Sequence, residues 1–148
     1  MSLAARIFAA AFALLALAGV ARATEPAVSS AEQACLAEAI YFEAAGSAES
    51  RAAVAHVILN RAEDPRFPRS VCGVVRDGCQ FSYRCSGRSL ALSDPKKRSG
   101  ALKTAEAVLT GAPDPTRGAL FFHSARAKPG WFNSRKRVGE IGGNVFYR

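Results

Sequence analysis

The sequence predicts a single, mainly helical α+β domain. Apolar residues recur at helical spacing in residues 31–45, 48–63 and 95–110. Two short segments near the end of the chain favour extended structure, and four cysteines could supply disulfides. A chain of 148 residues is long enough for one modest domain but short for two.

The first 23 residues are typical of a signal peptide. Arg6 supplies a positive charge, Ile7 to Val20 is almost purely apolar, and Ala21-Arg22-Ala23 fits a small-residue cleavage site. The apolar stretch is shorter than the about 20 residues that cross a bilayer as a helix. An uncleaved N-terminal anchor is the alternative. We therefore expect export to the periplasm or the medium, a flexible lead-in over residues 24–30, and one domain over residues 31–148.

All four cysteines, Cys35, Cys72, Cys79 and Cys85, follow this leader. An even number of cysteines in an exported chain predicts two disulfides, which would stabilise a domain of this size. Four cysteines allow three pairings, and the sequence does not choose between them. A zinc site is the alternative, but no histidine stands at ligand spacing near a Cys-x-x-Cys pair. We expect no metal and no cofactor.

Local signals limit the first two predicted helices. Ser30 can cap the first helix, with Gln33 three residues later completing a capping box, and Gly46 fits its end. Ser47 can cap the second helix, which must end before Asp64-Pro65. Apolar residues cover most sides of this second helix, so we expect it at the centre of the domain.

The remaining chain predicts one more long helix and several short elements. Asp94-Pro95 fits the start of the third helix. Val71 to Val75 could be a short helix or a strand, and Gln80 to Tyr83 reads as a short strand between two cysteines. Gly118 to His123 and Asn144 to Tyr147 read as extended segments. No repeat, low-complexity tract or linker indicates a second domain.

Charge and missing motifs narrow the function classes. The net charge of +8 favours a polyanionic partner such as nucleic acid, anionic lipid or a carboxylate-rich wall polymer. Aromatic residues do not alternate with the basic ones as in single-strand nucleic-acid grooves, and export also argues against nucleic acid. The sequence contains no phosphate-binding glycine loop, no His-Glu-x-x-His and no Gly-x-Ser-x-Gly. Carboxylates and two histidines remain as candidates for chemistry.

Glu43 is the strongest candidate acid. It lies near the end of the first predicted helix, beside Tyr41 and Phe42. Aromatic surroundings and the negative end of a helix dipole both raise the pKa of a carboxyl group, as a general acid requires. A solvated helix-end glutamate paired with an arginine is the alternative. Glu38 projects about 140° away around the helix, so we expect it to be structural and paired with Arg51 or Arg61.

The histidines and large aromatic residues are weaker candidates. His56 lies on the central helix, where a histidine is more often a packed side chain than a ligand. His123 follows two phenylalanines and is the better site residue, although packing could also explain it. Trp131, Tyr83 and Tyr147 could stack on sugar rings, but packing is the ordinary role of such residues.

Several ordered motifs resemble the cell wall hydrolases related to spore-cortex-lytic enzymes. The likeness runs from about Cys35 to the end of the chain, so it covers nearly all of the predicted domain. The motifs that carry it are Cys35-Leu-Ala-Glu-Ala-Ile-Tyr-Phe-Glu43-Ala, Val54-Ala-x-Val57-Ile-Leu-Asn60-Arg61, Pro65-Arg-Phe67-Pro68, Val71-Cys-Gly-Val-Val75, Cys79-Gln-Phe-Ser82, Phe122-His123, Trp131, Ile141-Gly142 and Val145-Phe-Tyr-Arg148.

This resemblance implies a compact lysozyme-like, transglycosylase-like fold and a peptidoglycan substrate. It implies that Glu43 is the catalytic acid and that Gln80, Phe81 and Ser82 line the cleft. We expect His123, Trp131 and Tyr147 to contact the glycan as well. With one dominant acid, the 6-hydroxyl of N-acetylmuramic acid can attack C1 and leave an anhydro-sugar, whereas attack by water would make the enzyme a muramidase.

The chain departs from the family pattern close to Glu43. The usual Glu-Ala-Arg-Gly-Glu is here Glu43-Ala44-Ala45-Gly46-Ser47, and Asn144 and Phe121 stand where relatives have histidines. The competing hypothesis is therefore a weakly active or inactive relative that binds glycan strands or a cell-envelope assembly. A membrane-damaging cationic protein would need an amphipathic basic helix, which the sequence lacks. We expect a monomer with no stable membrane span after processing.

Overall fold

The computed structural model describes residues 29–44 and 46–148. The predicted signal peptide, residues 24–28 of the lead-in and Ala45 lie outside this part of the chain. The regular elements, in chain order, are α1 (Ser30–Glu43), α2 (Ala48–Glu63), α3 (Val71–Arg76), α4 (Pro95–Leu109), β1 (Phe121–Ser124), β2 (Arg137–Ile141) and β3 (Asn144–Tyr147), with 3₁₀ turns at Ser82–Cys85 and Gly130–Ser134. The mainly helical α+β class predicted from the sequence is confirmed.

Helix α2 forms the centre of the domain, as its apolar coat predicts. Val54, Ala55 and Ile58 face a core shared with α1, α3 and α4. Ala53 and Val57 face a second cluster that contains Phe146 of β3. One helix therefore joins the helical layer to the small sheet.

The predicted local signals set the ends of the helices, with one exception. The Ser47 hydroxyl accepts a hydrogen bond from the Ser50 amide, and Asp94 caps α4 by accepting from Lys97. Gly46 has a φ of +90°, the left-handed conformation expected at the end of α1. The predicted capping box of Ser30 is wrong. Helix α1 begins at Ser30 itself, one residue before the predicted start, so Ser29 is the N-cap residue, and its side chain makes no capping hydrogen bond.

The three strands form an antiparallel sheet in the order β1-β3-β2. The extended segments predicted near Gly118 to His123 and Asn144 to Tyr147 correspond to β1 and β3, which pair Phe121 with Tyr147 and Ser124 with Asn144. β2 is an additional edge strand with an irregularity between Arg137 and Gly139. The sheet packs on α2 through Phe146, which is fully buried.

All four cysteines form disulfides, which excludes the zinc alternative. Cys35 of α1 pairs with Cys72 of α3, and Cys79 pairs with Cys85 across a separation of six residues. The predicted strand from Gln80 to Tyr83 is wrong. The short ring closed by the second disulfide bends the chain instead, and its second half is the 3₁₀ turn Ser82–Cys85.

The second disulfide also corrects the predicted partner of Glu38. Arg84 and Tyr83 lie inside the ring, and both donate hydrogen bonds to the Glu38 carboxylate, the tyrosine hydroxyl at 3.0 Å. Glu38 is structural as predicted, but it pairs with neither Arg51 nor Arg61. Across the part of the chain that the structure covers, no helix is both long and apolar enough to cross a membrane.

Candidate active site

Four parts of the chain meet around one open cleft of about 260 Å³. α1 contributes its last residue, α2 its last turn, the ring closed by Cys79 and Cys85 one part of the lining, and the ends of β1 and β3 another. The lining residues are Glu43, Arg61, Gln80, Phe81, Ser82, Phe122, His123, Ser124 and Asn144.

Glu43 is the only carboxylate among these lining residues. It is half-buried, and the described part of the chain offers it neither a salt bridge nor a side-chain hydrogen bond. Burial raises the pKa of Glu43 above that of an ordinary glutamate because removal of water disfavours the carboxylate. A carboxyl group whose protonated form is favoured in this way can donate its proton to a ligand in the cleft.

Gln80, Phe81 and Ser82 form one wall of the cleft. The ring between Cys79 and Cys85 contains all three, and the Glu38 bonds to Tyr83 and Arg84 fasten that ring to α1. Gln80 and Ser82 are exposed, whereas Phe81 is buried. The two polar side chains can therefore offer hydrogen bonds to a ligand, with Phe81 as an apolar floor.

His123 is held in a fixed orientation on the sheet side of the cleft. Its Nδ1 lies 2.7 Å from the Ser124 carbonyl oxygen, which can only accept, so Nδ1 carries a proton. Its Nε2 lies 3.0 Å from the Tyr147 hydroxyl, and the two rings stack with centroids 5.4 Å apart. Both ring nitrogens are thus occupied within the protein.

Tyr147 and Trp131 adjoin the cleft through His123 without lining it. Tyr147 is only 4% exposed, so it has little surface to offer a sugar and supports His123 from behind. Trp131 is 41% exposed and lies edge-on to His123 at 5.7 Å between ring centroids. Trp131 can therefore extend the apolar surface beside the cleft.

The cleft also contains residues that sequence reasoning did not place there. The sequence places Arg61 and Phe122 in family motifs and offers Arg61 as a partner of Glu38, but it predicts no site role for Arg61, Phe122 or Ser124. Asn144 was noted only as a departure from the family pattern. His56 lies elsewhere, buried on α2, with its Nδ1 3.9 Å from Asp114.

Comparison with known proteins identifies the family. A family model described as Cell Wall Hydrolase matches residues 45–147. This chain belongs to the cell wall hydrolase family. The match begins two residues after Glu43, so Glu43 itself lies outside it.

Relatives in this family include two spore cortex-lytic enzymes. The enzyme of Halalkalibacterium halodurans is 35% identical over 113 residues, which cover 75% of this chain and 33% of that protein. The enzyme of Bacillus subtilis is 34% identical over 113 residues, which cover 75% of this chain and 35% of that protein. The chain therefore spans about a third of the length of these curated relatives.

Two solved structures resemble this cell wall hydrolase domain over their full length. The catalytic domain of the germination-specific lytic transglycosylase SleB from Bacillus anthracis is 27% identical, with a TM-score of 0.68 and coverage of 84% of this chain and 100% of that one. The catalytic domain of the Bacillus cereus SleB protein is 28% identical, with a TM-score of 0.65 and coverage of 88% and 100%. The lysozyme-like fold expected from the sequence is confirmed by this likeness.

Proposed function

We propose that this chain is an exported peptidoglycan glycosidase that cleaves the β-1,4 bond between N-acetylmuramic acid and N-acetylglucosamine. The observation that carries the proposal is the single carboxylate of the cleft. Glu43 is half-buried with a raised pKa, and it lines the same open cleft as Gln80 and Ser82. Membership of the cell wall hydrolase family and the likeness to SleB catalytic domains support the substrate class.

In the proposed reaction, Glu43 acts first as an acid and then as a base. Its proton passes to the glycosidic oxygen while the bond from C1 of N-acetylmuramic acid to that oxygen breaks, through an oxocarbenium-like transition state. No second carboxylate lines the described cleft to serve as a nucleophile. The 6-hydroxyl of the same sugar therefore attacks C1, its proton returns to Glu43, and the product is a 1,6-anhydro sugar.

The remaining cleft residues would position the glycan. Gln80 and Ser82 offer exposed polar groups on one wall, and His123, supported by Tyr147, forms the other. Trp131 provides an exposed ring beside His123 on which a sugar can stack. Phe81 excludes water from the floor, which strengthens electrostatic interactions with the reacting bond.

Export is part of the same proposal. Its support is the charged, apolar and small-residue pattern of residues 1–23 together with two disulfides, which form in oxidising compartments. The substrate of a wall-degrading enzyme also lies outside the cytoplasm.

A peptidoglycan-binding relative with little activity is the second candidate. The observation that favours it is Asn144, which lines the cleft. The resemblance to the family implies a histidine at this position. An asparagine can hydrogen-bond to a ligand but cannot transfer a proton near neutral pH. Ser47 has a structural role in this chain, because it caps α2.

The test uses protein expressed with its leader and recovered from the periplasm, where its intact mass reports whether residues 1–23 have been removed. This protein is incubated with purified sacculi, and the soluble fragments are analysed by mass spectrometry. We expect anhydro-muropeptides from the wild type and none from Glu43→Gln. Reducing ends instead would identify a muramidase, and sacculus binding without release above the variant would identify the binding relative.

A further inference from the structure

Arg61 carries a buried positive charge that faces the candidate cleft. It lies in the last turn of α2 and is 6% exposed, yet it is one of the residues that line the cleft. Its Nε donates to the Leu120 carbonyl oxygen at 2.7 Å. Among the described residues, none accepts a hydrogen bond from its Nη atoms, and no carboxylate lies within salt-bridge distance.

The surroundings of Arg61 are aromatic. Its guanidinium carbon lies 5.3 Å from the Phe67 ring centroid, 5.7 Å from that of Phe81 and 5.6 Å from that of Phe121. Ring faces attract a cation, but they carry no net charge to neutralise it. Arginine is seldom buried without an anionic partner, because desolvation of the guanidinium is costly. Arg84, by contrast, has the Glu38 carboxylate as its partner.

A second arginine approaches the same aromatic group. The Arg135 guanidinium carbon lies 3.5 Å from the Phe121 ring centroid, and its Nε is buried without a hydrogen-bond partner in the structure. Burial lowers the pKa of Arg61 to about 10; the distant Asp77 opposes this shift and the Arg135 charge adds to it. Arg61 thus stays charged at neutral pH, and two cations with unused donors share one phenylalanine.

We propose that Arg61 and Arg135 form an anion subsite at the edge of the cleft that binds a carboxylate carried by the glycan strand. A guanidinium matches the two oxygens of a carboxylate, and one bound carboxylate would neutralise the buried charge and lower the repulsion between the two arginines. This inference rests on the proposed peptidoglycan substrate. Two sources share the chemistry: the lactyl carboxylate of peptide-free N-acetylmuramic acid and the carboxylates of the peptide stem.

Three substrates separate these sources. The first is peptide-free glycan strands with free lactyl carboxylates, and the second is the same strands after conversion of those carboxyl groups into methylamides. The third is soluble fragments of intact peptidoglycan, in which the lactyl group is in amide linkage and only stem carboxylates are free. The full-length protein is compared as wild type, Arg135→Met and Arg61→Lys. The lysine variant keeps the positive charge but loses the paired N–H groups with which a guanidinium binds both oxygens of a carboxylate.

We expect Arg135→Met to raise KM about tenfold or more on one carboxylate-bearing substrate, with kcat within about twofold, since a hydrogen-bonded charge pair is lost in binding. Arg61→Lys should change KM in the same direction. On methylamide strands, wild type and variants should have the same KM. A rise in KM confined to the first substrate would identify the lactyl carboxylate as the ligand of the subsite. A rise confined to the third substrate would identify a carboxylate of the peptide stem. Equal losses on all three substrates, or none on any, would overturn the subsite.

Arg66→Met is the matched control. Arg66 is exposed, pairs with Asp64 at 2.8 Å and approaches the Phe67 ring at 6.0 Å, whereas Arg135 lies against Phe121 and has no carboxylate partner among the described residues. The Arg66→Met variant loses one positive charge, as Arg135→Met does, and should leave KM unchanged on every substrate. Thermal unfolding of each variant identifies any effect of misfolding, and Arg135→Met is the safer variant because Arg135 is less buried than Arg61.

Failure of the proposed function would be visible separately. If the wild type cleaves none of the substrates, equilibrium binding of the free-carboxylate and methylamide strands still tests the subsite. Tighter binding of the carboxylate strands by the wild type, lost in Arg135→Met, would support it. Equal binding of the two strands and of the intact fragments by wild type and variant would overturn it.

Discussion

Three glutamates on α1 occupy three different environments. Glu32 in the first turn accepts hydrogen bonds from the amides of Val71 and Cys72 and so caps α3 from a distance. Glu38 in the middle binds Arg84 and Tyr83 of the disulfide ring. Glu43 at the end has neither kind of partner within the described chain and faces the cleft. The first holds α3 against α1, the second holds the cleft wall in place, and the third is left available for chemistry.

The environment of Glu43 predicts a pH-dependent cost to folding. Burial raises its pKa, so the folded state favours the protonated form. Its contribution to stability is complete below the unfolded pKa of about 4.3 and is lost as pH rises through the folded pKa. Glutamine does not titrate. The free energy of unfolding of Glu43→Gln, relative to wild type, should therefore increase from pH 4 to pH 7.

Urea unfolding at a series of pH values measures this difference. Glu106→Gln, on the exposed face of α4, controls for the loss of one negative charge. A fall in stability for Glu43→Gln that is the same at every pH would mean that the carboxylate holds the fold together, and it would remove the reason for assigning it to catalysis.

Among the elements, local signals predict those whose limits are set locally. Caps and prolines lie within a few residues of the helix ends that they determine, so α2 and α4 agree with prediction. The strand predicted at Gln80 to Tyr83 fails because a disulfide six residues apart decides the shape of that segment. β2 escapes prediction because Arg137-Val-Gly-Glu-Ile lacks clear alternation, and its pairing with β3 comes from tertiary structure.

The cleft residues also divide into those that local patterns predict and those whose positions depend on tertiary contacts. Local chemistry predicts Glu43 and His123 as site residues, and family motifs support both and add Gln80, Phe81 and Ser82. The structure brings these five residues together in the lining of the cleft. The pairing of Arg61 with Glu38 is a wrong prediction, because the position of Arg61 depends on a contact with Leu120, 59 residues away, that no local pattern encodes. The Asn60-Arg61 motif at the end of α2 was the only available signal.

The turn between β2 and β3 meets α2 at close range, which gives an element-scale prediction. A Cβ added to Gly142 would lie 2.4 Å from the Ser50 Cβ, and φ at Gly142 is +57°. Gly143 has a φ of +79° but nothing within 4 Å of an added Cβ. Gly143→Ala should therefore cost about 1 kcal/mol for the left-handed backbone alone, and Gly142→Ala about 3 kcal/mol with the overlap included.

Chemical denaturation of the two variants measures both costs. Since the backbone penalty is shared, the difference between them isolates the contact with Ser50. Equal destabilisation of the two variants would show that the turn moves away from α2 without cost, and that this contact does not fix the sheet against the helix.

At the scale of the molecule, two disulfides divide the tasks of stability and site formation. A domain of this size buries a limited core, so covalent links contribute a large share of its stability. Cys35–Cys72 joins α1 to α3 across 37 residues, and neither of its cysteines lines the cleft. Cys79–Cys85 spans six residues and encloses Gln80 and Ser82.

Removing each disulfide in turn should therefore have different effects on stability and on activity. By loop entropy, replacing Cys35 and Cys72 together by serine should cost about 4 kcal/mol of unfolding free energy, and replacing Cys79 and Cys85 about 2 kcal/mol. Release of fragments from sacculi, measured where both variants are folded, should fall further in the second pair, because the wall carrying Gln80 and Ser82 loses its closure. Each pair serves as the other's control. If the first pair loses more activity than the second among folded molecules, the cleft wall does not depend on its own disulfide, and the Glu38 bonds to Tyr83 and Arg84 suffice to hold it.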